Sequence, residues 1–85
     1  MSKKEKLIKK ILFSLNDRNI KFDELVLLLK HLGFSLNIKG SHHIFSKEGI
    51  EYKPNIQKDG VKAKSYQVKQ IRKMIIDFKL WNENE

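Results

Sequence analysis

The stretch Lys39–Phe45, KGSHHIF, sets two adjacent histidines between a Gly-Ser pair and two large apolar residues. Only three histidines occur in the chain, His31, His42 and His43, so the pairing of two asks for a reason. One reason is packing. Another is proton transfer, because an imidazole in general titrates near neutral pH. A third is metal binding, which the pattern argues against. Neighbours on a strand point to opposite faces, so His42 and His43 do not easily share one ion. His31 has no obvious acidic companion, there is no cysteine, and no set of three or four ligands stands at a recognisable zinc spacing. No metal and no cofactor are expected.

The elements that would position these histidines can be read from periodicity. Ser2 and Glu5 have the spacing of a capping box. Leu7, Ile8, Ile11, Leu12 and Leu15 then follow helical spacing, which predicts a helix from about Lys3 to Leu15. Asn16 to Asn19 reads as a turn. A second helix opens with Asp23 and Glu24 and closes with Lys30 and His31, matching the helix dipole at both ends. Leu25, Leu28, Leu29 and Leu32 share one of its faces, and Gly33 is its expected stop.

Period two follows. Phe34, Leu36 and Ile38 alternate with Ser35, Asn37 and Lys39 as a strand. Gly40-Ser41 makes a tight corner, and His42 to Ser46 is the returning strand. After a turn at Lys47–Gly49, Ile50, Tyr52 and Ile56 suggest a third strand, which Pro54 marks as an edge. Gln57 to Lys64 reads as a mobile basic loop. Ser65 is the expected cap of a last helix whose apolar stripe is Val68, Ile71, Ile75 and Phe78. The expected class is α+β, with one sheet face covered by the second and last helices and the other open.

The whole chain sets bounds on function. Its 85 residues make one domain, and 40% hydrophobic composition supplies one modest core rather than a deep enclosed cleft. The N-terminal segment mimics a basic signal-peptide start, but Lys9 and Lys10 interrupt its apolar run and no small-residue cleavage site follows. No run has the length of a membrane span, so a soluble, cytoplasmic protein with no membrane partner is expected. The net charge is +8, from 18 basic and 10 acidic residues. The excess is concentrated between Lys53 and Lys79, which points to a polyanionic partner; the plainer reading is a solvated surface.

FDELVLLLKHLGF, IKGSHHIF and AKSYQVKQIRKMI together resemble the HicA toxins of bacterial toxin–antitoxin systems, over roughly Ile20 to Phe78. The resemblance divides the chain into an N-terminal helical extension at 1–19, a HicA-like domain at 20–80 and a polar tail at 81–85. It implies a fold like the double-stranded-RNA-binding domain, α-β-β-β-α in two layers, with the N-terminal helix added. The implied activity is metal-independent endoribonuclease cleavage of mRNA, and the implied partner is a HicB-like antitoxin that covers the site. Ser65 departs from the proline expected in the subgroup with the YQVKQIR helix, which bears on the rigidity of the helix entry. The family's catalytic histidine follows Gly-Ser directly, and so maps onto His42.

Alternation alone leaves the choice between the two histidines nearly even, since Ile44 and Phe45 are both core candidates; the resemblance selects His42. His43 and His31 keep structural readings. Gly40 would let the backbone approach substrate, and Ser41 and Lys39 would support the phosphate. For Ser41 an ordinary hairpin corner is an equally good reading. Lys62, Lys64, Lys69, Arg72 and Lys73 are the expected contacts to RNA phosphates, with residues 69, 72 and 73 on one helix flank. Lys39, Lys64 and Tyr66 are candidates for the acid that protonates the leaving group. The free protein is expected to be a monomer, with the N-terminal stripe closing the core rather than meeting a partner. Two other readings compete: a non-catalytic RNA-binding module, and an antitoxin or DNA-binding regulator. The second lacks any visible helix-turn-helix.

Overall fold

The computed structural model describes residues 3–13 and 17–80. The expected cap Ser2, the apolar Leu15, Asn16 and the tail with Trp81 lie outside them. The elements run α1 (Lys3–Phe13), a 3-10 turn (Asp17–Asn19), α2 (Phe22–His31), β1 (Ser35–Lys39), β2 (His42–Ser46), β3 (Asn55–Ile56), β4 (Lys58–Asp59), β5 (Lys62–Ala63) and α3 (Ser65–Asp77). This is a small α+β domain with three α-helices, an antiparallel sheet β1-β2-β3 and a separate β4-β5 hairpin.

Each helix buries the stripe that its spacing dictates. Leu7, Ile8 and Ile11 of α1, Leu25, Leu28 and Leu29 of α2, and Val68, Ile71 and Ile75 of α3 join one cluster. The sheet adds Phe45 and Ile56 to the same cluster, so its inner face is covered by helices as expected. The stripe of α3 differs in one member: Met74 is buried and Phe78 is 46% exposed. Phe78 is the C-cap of the helix, and behind it Lys79 adopts φ 54° and Leu80, 3% exposed, takes the place in the core.

The end of α2 follows from Gly33. Its φ of +94° allows the Phe34 amide to reach the Leu29 carbonyl and its own amide to reach that of Lys30, both at 3.0 Å. This is the Schellman arrangement. The Lys47 ammonium caps the Leu32 carbonyl at 2.6 Å. Gly40 also has a left-handed backbone, φ +60°, at the first position of a two-residue turn joining Lys39 to its partner His42. That conformation fits the right-handed twist of a hairpin.

Three expectations are corrected. The third strand is only Asn55–Ile56, because Pro54 accepts the Phe45 amide at 2.8 Å but has no N–H to return the second bond. Gln57 to Lys64 is no mobile loop: it holds the β4-β5 hairpin, tied to the start of α2 by Phe22 N–H to Val61 O (3.0 Å) and Ala63 N–H to Ile20 O (2.9 Å). Lys64, not Ser65, is the N-cap of α3, and no side chain caps it.

The extension α1 packs on α2 and α3. Lys10 meets Glu24 at 2.7 Å, and the Glu24 carboxylate also accepts the Lys21 amide at 3.0 Å. Burial opposes the charge of Glu24, yet the Lys10 hydrogen bond, the Lys21 amide and the attraction of both lysines hold its carboxyl below the ordinary glutamate value. A depressed carboxyl contributes stability above its unfolded pKa and loses it as pH falls through the folded one. Glu24→Gln should therefore lower stability by about 0.5 kcal/mol at neutral pH, with the difference vanishing in acid below the usual glutamate range. Urea titrations of both proteins across pH measure it; a difference that persists unchanged in acid would assign the effect to packing.

Candidate functional site

Register decides the two histidines. Leu36 pairs with Phe45 and Ile38 with His43, while Lys39 pairs with His42 and Asn37 with Ile44. Phe45 is fully buried, so His43 shares the inner face and His42 the open one. His43 is half-buried, its ring edge-on to Phe22 with centroids 4.8 Å apart. Its Nδ1 is buried without a hydrogen-bond partner. His42 is exposed at the mouth of the hairpin, with Lys39 across the strand pair.

A polar network surrounds His42. Its Nδ1 lies 3.2 Å from Asn55 Oδ1, and its Nε2 lies 3.5 Å from Gln57 Nε2. The Gln57 amide nitrogen also donates to Ser41 Oγ at 3.4 Å, and its oxygen accepts from the Lys64 ammonium at 3.1 Å. Ser41, His42, Gln57 and Lys64 thus converge from the hairpin corner, the end of β3 and the cap of α3. Below them, Gln67 is a buried polar side chain, 4% exposed. Its oxygen accepts the Gln57 backbone amide at 2.9 Å, and its nitrogen donates to the Asn55 carbonyl at 3.0 Å and to Tyr66 Oη at 3.3 Å. One side-chain amide so occupies the outer edge of β3 as a further strand would. It holds the backbone of both residues that touch the His42 ring.

Asn55, Gln57 and Gln67 were not among the residues singled out in the sequence. A signal existed for the first two. Once Ile56 is assigned to the core, period two puts Asn55 and Gln57 on the opposite face, the face of His42. Gln67 carries no such signal, since a polar residue in an exposed helix turn looks solvated.

The expected basic set divides. Lys39, Lys62 and Lys69 are exposed, and Lys64 stands beside the His42 network. Lys73 is exposed and pairs with Asp77 at 2.9 Å, one turn along α3. It lines a groove of about 230 Å³ with Tyr52, Gln70, Met74 and Phe78. Arg72 departs from the expected flank. Its Nε donates to the Ile11 carbonyl at 2.8 Å and its guanidinium forms a fork with Asp17, leaving the side chain 21% exposed. It joins α1, the 3-10 turn and α3 rather than facing a ligand with Lys69.

Among the described residues no group of three or more His, Asp or Glu is arranged to hold a metal ion, and no helix is long and apolar enough to cross a membrane. Compared with protein-family models, curated proteins and solved structures, the chain matches none.

Proposed function

We propose that this protein is an RNA endonuclease, the toxin of a HicA/HicB-type toxin–antitoxin pair, with His42 as its general base. The observation that carries the reading is the exposed His42 imidazole, held in a network with Ser41, Asn55 and Gln57 and flanked by Lys39 and Lys64. The GSHHIF resemblance agrees with it. So does the order α2-β1-β2-β3-α3 with an antiparallel sheet, which we read as a double-stranded-RNA-binding-like domain carrying an inserted β4-β5 hairpin and the added helix α1.

RNA brings its own nucleophile. His42 takes the proton of a 2′-hydroxyl, the oxygen attacks the adjacent phosphorus, and the bond from phosphorus to the 5′-oxygen breaks. The leaving oxygen gains a proton, from solvent or from Lys39, Lys64 or Tyr66. The products are a 2′,3′-cyclic phosphate and a 5′-hydroxyl. Ammonium groups at Lys39 and Lys64 offset the charge that builds on the phosphate oxygens. Lys62 and Lys69 extend the positive field to neighbouring phosphates, a contribution that gives affinity rather than sequence choice. A HicB-like antitoxin covers the His42 face and competes with RNA, aided by the net charge of +8.

Incubating purified protein with mixed-sequence RNA tests this. Cleavage in EDTA, with cyclic-phosphate ends and an untouched all-deoxy substrate, is the expected result. Activity that vanishes with EDTA and returns with magnesium, or cleavage of the all-deoxy strand, contradicts the mechanism. Binding without cleavage would leave an RNA-binding module.

A further inference from the structure

The hydrogen bonds around His42 form a chain in which each donor and acceptor is determined by the one before. Lys64 is the starting point, because an ammonium has protons to donate and no lone pair to accept with. Its contact at 3.1 Å therefore requires the Gln57 oxygen, not the nitrogen, at that end of the amide. The Gln57 NH₂ is then turned toward Ser41 Oγ at 3.4 Å and His42 Nε2 at 3.5 Å. An amide NH₂ only donates, so the neutral ring must present a lone pair at Nε2. Its proton is left on Nδ1, where Asn55 Oδ1 at 3.2 Å accepts it. The two tautomers of a neutral imidazole are otherwise close in energy, and the bond made by one nitrogen selects the state of the other.

We propose that Lys64, acting through the Gln57 amide, and Asn55, acting directly, lock His42 in the Nδ1–H tautomer with Nε2 unprotonated and facing the substrate side. They are positioning residues for the base. The proposal rests on the ribonuclease reading for its purpose, not for its chemistry. Nε2 keeps only a long contact to Gln57, so a 2′-hydroxyl can displace that amide at little cost, and the released NH₂ can then donate to a phosphate oxygen. Gln67 makes the arrangement durable by fixing the backbone at Asn55 and Gln57.

Long-range proton–nitrogen correlation spectra of His42, recorded on the free protein above the pH where the ring titrates, read the tautomer with no substrate present. The wild-type ring should be predominantly Nδ1–H. Asn55→Leu and Lys64→Met should each shift it toward Nε2–H, and Asn55→Asp, which restores an acceptor in place, should recover the Nδ1–H form. In RNA cleavage, Asn55→Leu should lower kcat about 10- to 100-fold with KM little changed, the range seen when a partner that orients a reactive side chain is removed. A wild-type ring that is mainly Nε2–H, or a tautomer ratio indifferent to both substitutions, overturns the proposal. So does an unchanged kcat in an Asn55→Leu protein whose tautomer has shifted. An Nδ1–H ring in a protein that leaves RNA intact supports the lock and overturns the ribonuclease reading, so the two fail separately.

Discussion

His42→Ala should abolish RNA cleavage and growth inhibition while leaving the fold intact. A positioned general base contributes about 10²- to 10⁴-fold, and alanine leaves no other imidazole on the open face. The side chain is exposed and its bonds to Asn55 and Gln57 are long, so little stability is lost. His43 is the internal control. It lies one residue away but on the inner face, edge-on to Phe22. His43→Phe should keep activity, and stability should hold or rise, because it removes a buried unpaired nitrogen while keeping a ring against Phe22. Growth curves of induced cells, cleavage assays and circular dichroism measure these outcomes. Continued cleavage by His42→Ala, or loss of cleavage in a folded His43→Phe protein, would sink the assignment.

Arg72→Ala should destabilise the protein by roughly 2–3 kcal/mol, lowering Tm by roughly 10–20 °C for a domain of this size. Removing one partner of a fully buried ion pair costs about 3–5 kcal/mol, whereas exposed pairs contribute less than about 1 kcal/mol. The Arg72 and Asp17 side chains are 21% and 12% exposed, which places this pair nearer the buried case. The loss also frees the Ile11 carbonyl and separates three elements at one point. Arg72→Lys keeps the charge but loses the planar fork, and should recover only part of the stability. Lys69→Ala, at an exposed site on the same helix, should change stability by less than about 0.5 kcal/mol and weaken RNA binding instead. Thermal melts with RNA titrations separate the two positions. If Arg72→Ala melts like the parent and loses RNA affinity, Arg72 is a ligand contact after all.

Much of this protein was determined by the sequence alone. The faces of α2, its stop at Gly33, the Gly40-Ser41 corner and the opposition of His42 to His43 all follow from local rules. Helical spacing, a left-handed glycine and strand alternation act over a few residues, so a short stretch contains all that decides them. Which of the two histidines faces outward needed the tertiary structure, because Ile44 and Phe45 are equally apolar and only packing chose Phe45 for the core. Ile38 shows the same limit: alternation gives it the inner face, yet it is 56% exposed beside the hairpin turn. The partners of polar groups lay furthest from view. Arg72 bonds to residues 55 and 61 positions away in sequence, and Gln67 holds a strand 10 to 12 positions before it. A charged or amide side chain on an exposed-looking helix turn has no periodicity of its own. Whether it meets water, a phosphate or another part of the chain is settled only when packing brings a donor or acceptor within about 3 Å.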